Sequence, residues 1–194
     1  MSHEQTQTES PGGGHEQVRR LNWGCGDWTT AGWINADIKQ GDGVDLVGDI
    51  REGLPLDSDS IDYAVSIHSL PEIPYTELIR TLVELRRVLK PGGVLRLALP
   101  DLDKGIEAYH RRDASYFKVP DEDATSVGAK FITQMVWYGY SRSLFTHEFI
   151  EEQLLRAGFT SVQHCAFKQT ASPHDEIVAL DNREQESLFV EAVK

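Results

Sequence analysis

The residues with the clearest chemical potential lie in the first third of the chain. Leu21-Asn22-Trp23-Gly24-Cys25-Gly26 reads as an apolar strand running into Gly-x-Gly. Glycine is needed where a ligand must approach the backbone at the carboxyl end of a strand, because a side chain would fill that space. The dinucleotide form Gly-x-Gly-x-x-Gly is not met, since position 29 is threonine, and this disfavours a nicotinamide cofactor. Asp37 ends the next strand-like run, where a carboxylate can accept both hydroxyls of a ribose, with Ile38 beside it. Asp49-Ile50 ends a third, where a side-chain acceptor and a backbone N–H can read an adenine edge. His68 stands at the mouth of a fourth run, beside the switch point at which parallel sheets bind ligands.

These residues need a scaffold, and the hydrophobic pattern supplies one. Residues 18–23, 33–37, 44–47 and 61–67 are short strand candidates, the last rich in β-branched residues. A helix is predicted over 74–89, with Pro74 in its first turn and Leu78, Leu82, Leu85 and Leu89 at helical spacing. Lys90-Pro91-Gly92-Gly93 stops it, and 94–99 is the next strand. Alternating strands and helices imply an α/β fold with a parallel sheet covered on both faces. Residues 101–145 break the rhythm: a helix with Leu102, Ile106 and Tyr109 on one face, an acidic loop near Pro120, then a helical stretch over 127–138. Thr146 can cap a helix carrying Phe149, Ile150 and Leu154, which Gly158 ends. Residues 160–167 and 187–193 read as two closing strands, consistent with a hairpin at the sheet edge. The polar stretch 1–17, with Ser10-Pro11-Gly12-Gly13-Gly14, reads as a flexible tail, and 18–194 as a single domain.

Bulk properties narrow the function. The chain has 194 residues, 40% hydrophobic and 26% charged, which suits one globular domain. No apolar run approaches the ~20 residues of a membrane span, and the start lacks the basic and apolar parts of a secretory signal. The expectation is a cytoplasmic protein without a membrane partner, monomeric or homodimeric. Two cysteines are too few for a disulfide framework. With 19 Lys+Arg against 31 Asp+Glu, the net charge of −12 argues against nucleic acid as a partner. No His/Asp spacing resembles a metal triad, so no metal is expected.

Six motifs in order carry a resemblance: Asn-x-Gly-Cys-Gly, Gly-Trp-Ile-Asn-x-Asp, Gly-Asp-Ile-Arg-x-x-Leu-Pro-Leu, Ile-Asp-x-x-x-Ser-Ile-His, Val-Leu-Lys-Pro-Gly-Gly and Leu-Pro-Asp-Leu. The set resembles the class I S-adenosylmethionine-dependent methyltransferases, more narrowly a group of small bacterial predicted methyltransferases of the type 11-like kind. It runs over 20–101 and resumes over 145–194. The resemblance implies a Rossmann-like three-layer sandwich with a seven-stranded, mostly parallel sheet, an antiparallel last strand, and 101–145 as a helical insertion after the fifth strand. It also implies S-adenosyl-L-methionine as cofactor. Gly24 and Gly26 would line its methionine part with Asn22 and the backbone near Cys25. Asp37 and Ile38 would hold the ribose end, Asp49 and Ile50 the adenine, and His68 would stand near the sulfonium.

Two departures matter. Gly26 and Asp37 are only 11 positions apart, against the ~20 of a dinucleotide fold. The first crossover helix must shrink to about a turn, exposing the pocket there, with Trp28 and Trp33 at hand to cover it. Leu70 is followed by Pro71-Glu72, where relatives often carry Leu-Glu-His, so a histidine role there does not transfer.

The reading that follows is in-line methyl transfer to a small-molecule or saccharide acceptor at a hydroxyl. His68, His147, Glu72 and Asp101 are the candidate bases for the hydroxyl proton. No Asn-Pro-Pro-Tyr-type motif follows Ile67, which argues against amino groups of nucleic acid bases. Cys25 reads as a small buried filler, because transfer from a sulfonium needs no covalent enzyme intermediate. The insertion's aromatics, Tyr109, Tyr116, Phe117, Phe131, Trp137, Tyr138 and Tyr140, suit either an acceptor pocket or the core of a helical lid. The rival reading is a catalytically inactive S-adenosylmethionine-binding or interaction module on the same fold.

Overall fold

The computed structural model describes residues 17–194. The expected flexible tail falls on 1–16, outside the described residues, and on residue 17. Seven strands form one sheet: β1 (Arg20–Trp23), β2 (Ile34–Asp37), β3 (Leu46–Val47), β4 (Ile61–Ile67), β5 (Leu89–Pro100), β6 (Ser161–Cys165) and β7 (Ser187–Val193). Their order is β3-β2-β1-β4-β5-β7-β6. The pairs from β3 through β5 are parallel, and β7 runs antiparallel to both neighbours. This is the seven-stranded, mostly parallel Rossmann-like sheet with an antiparallel last strand that the resemblance implies. The two closing strands pair antiparallel at the sheet edge as expected, with β7 lying between β5 and β6 so that β6 is the edge strand. The 21 residues between Cys165 and Ser187 give room for that reversal.

Residues alternate between the two faces as a strand's period of two requires. Ala64 of β4, Leu95, Leu97 and Leu99 of β5, and Leu188, Val190 and Ala192 of β7 join one core, and Ile61, set off from Tyr63 by a register shift, joins it too. Helix α1 (Leu78–Val88) and helix α4 (His147–Arg156) cover it with Leu78, Leu82, Leu85, Val88, Ile150 and Leu154. Arg86 Nε ties the two helices by donating to the Gly158 carbonyl at 2.7 Å. The predicted helix starts later than expected, after a 3-10 turn at Tyr75–Glu77, and ends earlier, because Leu89 already pairs with Ile61. Residues 90–93 bulge out before pairing resumes at Tyr63 and Val94.

The other face has no long helix among the described residues. Tyr63, Val65 and Val94 are covered by Trp33 and by the 166–186 connection, through Ile177 in the short 3-10 helix Asp175–Val178. This third layer is pinned by charge. Arg96 projects from β5 and is fully buried, with Asp181 and Glu191 beside it at 0% and 3% side-chain exposure. Arg96 Nε and Nη2 donate to Asp181 at 2.8 and 2.6 Å, and Nη1 donates to Glu191 at 2.7 Å. The Gln169 and Ala166 carbonyls accept the remaining two N–H groups. Burial opposes the charge on Arg96, but its bonds to Asp181 and Glu191 more than offset this and hold its pKa above the ordinary value.

The insertion after β5 consists of helix α2 (Leu102–His110) and helix α3 (Val127–Val136), joined by a loop with a 3-10 turn at Ala114–Tyr116. Tyr109 stacks on Phe131 at 5.3 Å, and Phe117 meets both Phe131 and Tyr116 edge-on, forming a small core of their own.

Candidate active site

The site starts at the carboxyl end of β1. Gly24 and Cys25 both donate their N–H to the Ala36 carbonyl, at 2.8 and 3.2 Å, which turns the chain sharply. Gly24 has φ +69°, and a Cβ there would lie 2.2 Å from Ser69 Oγ. That hydroxyl donates to the Gly24 carbonyl at 2.7 Å and clamps the turn to the mouth of β4. Gly26 differs: at φ +51° an added Cβ would meet no atom within 4 Å and would project into open space.

No helix joins β1 to β2; side-chain amides do its positioning work. Buried Asn22 donates from Nδ2 to the Trp28 carbonyl at 3.0 Å and to Asn35 Oδ1 at 3.1 Å. Asn35 Oδ1 also accepts from Thr30 N at 3.0 Å, and Asp45 accepts from Asn35 N at 2.8 Å. The crossover is thus reduced further than the turn of helix expected. Trp33 packs beneath the sheet, edge-on to Tyr63 at 5.3 Å, leaving Trp28, 77% exposed, on the cavity side.

Two cavities adjoin this turn. The first, about 750 Å³, includes Asp37, Ile38, Asp49, Ile50 and Arg51 in its wall. Asp37 accepts from Gly26 N and Lys39 N, each at 2.9 Å. A carboxylate has about four acceptor directions, so two remain, enough for paired ribose hydroxyls. Ile38 is 57% exposed and presents an apolar surface there. Asp49 is committed elsewhere: Arg51 N and Nε donate to Oδ1 at 2.9 Å each, and Nε and Nη2 to Oδ2 at 3.0 and 2.5 Å. The Arg51 guanidinium holds the Asp49 carboxyl below its ordinary pKa.

The second cavity, about 680 Å³, shares Gly24, Gly26, Ser69, Glu72 and Tyr140 with the first. His68 lines it in a left-handed conformation, φ +56°, with Nε2 2.7 Å from Ser187 Oγ. Burial first, and the nearby Arg183 charge second, push its pKa down to about 3, so the ring is neutral at physiological pH. Glu72 ends the 3-10 turn Leu70–Glu72 on the border of both cavities. Cys25 is buried, and desolvation followed by the Asp37 charge raises its thiol pKa, which suits a filler and not a nucleophile. Trp28, Trp137 and Tyr140 give aromatic walls. Trp137 and Tyr138 sit at φ +41° and +55°, a backbone that bulky residues rarely adopt. The insertion's aromatics therefore divide: the helical ones fill its core, and those at 137–140 border the cavities.

Two candidate bases lie elsewhere. His147 is at the start of α4, its ring 4.3 Å from His164 of β6, and it lines neither cavity. Asp101 is buried as the cap of α2, accepting from Asp103 N and Lys104 N at 3.0 and 3.2 Å, and it too lines neither. Both follow from chain direction: residues after the insertion return along α4 to the far edge of the sheet, and Asp101 turns into the helix. Sequence reasoning missed Ser69, which adjoins a motif, Asn35 and Arg51, which lie within two of them, and Arg183 and Glu186, for which no local signal exists. Among the described residues no group of three or more His, Cys, Asp or Glu is placed to hold a metal ion. No helix of theirs is long and apolar enough to cross a membrane.

Residues 22–97 match the methyltransferase domain family. No curated protein matches the chain significantly in sequence. Solved structures match in fold. An S-adenosylmethionine-dependent methyltransferase of Thermotoga maritima is 19% identical with a TM-score of 0.56, over 92% of this chain and 83% of that one. Those of Archaeoglobus fulgidus and Mesorhizobium loti are 13% and 17% identical with TM-scores of 0.58 and 0.54; each covers 91% of this chain, and 86% and 91% of their own. At such identities the likeness carries the fold alone. The groups present fit the cofactor of that family: open space over Gly26, two free acceptor directions on Asp37, and an exposed Ile38 beside them. The chain thus has the fold of the class I S-adenosylmethionine-dependent methyltransferases, and residues 22–97 are similar to the methyltransferase domain family.

Proposed function

We propose that this protein transfers the methyl group of S-adenosylmethionine to a hydroxyl of a small-molecule or saccharide acceptor. The observation that carries the reading is the shared border of the two cavities at Gly24, Gly26, Ser69, Glu72 and Tyr140. Asp37 holds the ribose, Ile38 packs by the adenine, and the backbone at Ile50 reads its edge, with Asp49 beside it held by Arg51. Gly24, Cys25, Gly26 and Asn22 line the methionine side, and the acceptor shares the second cavity with them. When bound, the cofactor supplies an electrophilic methyl on a positive sulfur.

Glu72 is the base in this reading. Of the four candidates, His147 and Asp101 lie outside both cavities, and neutral His68, with so low a pKa, binds protons too weakly. His68 instead orients groups at the mouth of β4 through its bond with Ser187. Trp28, Trp137 and Tyr140 offer flat faces to a sugar or to a positive sulfur. The net charge of −12 supports an uncharged acceptor over a phosphate backbone. The test is S-adenosylhomocysteine formation across a panel of hydroxyl acceptors, with Glu72→Gln as the variant. Glu72→Gln should bind S-adenosylhomocysteine normally and lose about 10²–10⁴-fold in turnover. Full turnover by the variant removes Glu72 as base. A preference for amine acceptors overturns the hydroxyl assignment.

Pro71-Glu72 at the mouth of β4 and the helix-free crossover between β1 and β2 favour one second reading, a module that binds the cofactor without catalysis. Tight binding with no product from any acceptor would select it.

A further inference from the structure

The adenosine end of the cofactor has a cavity and candidate partners, whereas its amino-acid end, a carboxylate and an ammonium, has only the backbone near Gly24 so far. We propose that Asn182, Arg183 and Glu186, on the connection between β6 and β7, hold that zwitterionic end. All three line the second cavity, on the side of the sheet where the 166–186 connection stands in for helices. Arg183 is the one arginine or lysine in that cavity's wall, and its guanidinium lies 3.2 Å from the Glu186 carboxylate. A zwitterion meets such a pair charge for charge: carboxylate on Arg183, ammonium on Glu186. Asn182 adds an acceptor, since its buried Oδ1 has no hydrogen-bond partner among the described residues. Arg183 is left-handed, φ +54°, a backbone that glycine adopts freely.

This inference rests on the cofactor assignment, so its test separates the two. Calorimetry on the full chain compares S-adenosylhomocysteine with methylthioadenosine, which keeps the adenosyl thioether and lacks the amino acid. The variant is Arg183→Gly, which removes the guanidinium and relieves the backbone, so folding is retained; a thermal melt checks this. The wild type should bind S-adenosylhomocysteine about ten- to a hundredfold more tightly than methylthioadenosine. Arg183→Gly should erase most of that difference by weakening S-adenosylhomocysteine alone, and Arg183→Lys should restore part of it. Equal binding of both ligands by the wild type overturns the proposal, as does unchanged S-adenosylhomocysteine binding in Arg183→Gly or equal weakening of both ligands. Binding of neither ligand by the wild type would sink the cofactor assignment itself.

Discussion

Replacing Arg96 with methionine tests how the helix-poor face of the sheet is held. Methionine is close in length, so the main change is the loss of five hydrogen bonds and one positive charge. Asp181 and Glu191 would be left as two buried carboxylates with no countercharge, at 0% and 3% exposure. Removing one partner from a buried ionic cluster costs about 3–5 kcal/mol. That is a large share of the 5–15 kcal/mol that typically holds a domain folded. For a chain of this size it corresponds to a fall in Tm of about 6–20 °C. The loss should be concentrated in the 166–186 connection, whose Gln169 and Ala166 carbonyls and Asp181 side chain all bond Arg96. Circular dichroism melts measure the total, and limited trypsin digestion reads the place, because Lys168 and Arg183 are the connection's own cleavage sites. Adding Asp181→Asn and Glu191→Gln to Arg96→Met should recover at least about half of the loss, since the unpaired charge is the main penalty. A melt within about 2 °C of wild type, with no new cleavage, would refute the reasoning.

Three further outcomes are expected. Gly24→Ala, whose Cβ would meet Ser69 Oγ at 2.2 Å, should lower both Tm and affinity for S-adenosylhomocysteine; Gly26→Ala, with no protein atom within 4 Å, should fold at a cost of about 1–2 kcal/mol and lose the ligand all the same. Thermal melts and calorimetry on the two variants distinguish these. The folded-state pKa of His68, about 3, lies below its unfolded value near 6.5, so its contribution is complete above pH 6.5 and is lost as pH falls towards 3. Urea titrations should show about 2 kcal/mol of this loss between pH 7.5 and pH 5, absent in His68→Asn, which tolerates the same left-handed backbone. Finally, Arg51→Ala frees the Asp49 carboxylate, and opening an exposed ion pair costs at most about 1 kcal/mol, so S-adenosylhomocysteine should bind up to about fivefold more tightly. Weaker binding would mean that Arg51 itself contacts the ligand.

The part of the site built by local pattern was legible in the sequence. Gly24, Gly26, Asp37 and Asp49 each sit at a strand's end, and a strand followed by a turn residue is a short-range signal. Parallel pairing then brings those ends together without further information. What escaped depends on contacts between distant segments. The clamp of Ser69 on Gly24 spans 45 positions, and the bonds of Arg96 to Asp181 and Glu191 span 85 and 95. Arg96 looked like one polar residue in an apolar strand, with nothing nearby to predict its partners. His147 lies outside both cavities for the same reason: its closeness in sequence to the insertion said nothing of α4 docking beside β6. The strength of the alternating pattern fixed the strands but could not say that the last would enter between two earlier ones.

That entry of β7 has a consequence for how the molecule is made. Until residues 187–193 are in place, β6 has no neighbour to bond and β5 shows a bare, mostly apolar rim. A nascent chain emerging from the ribosome must keep that rim from sticking to other chains until the final strand arrives, so completion of the sheet is a late, all-or-nothing event. A premature stop in the final strand would therefore do more than shorten the protein: it would leave an adhesive edge in the middle of its sheet.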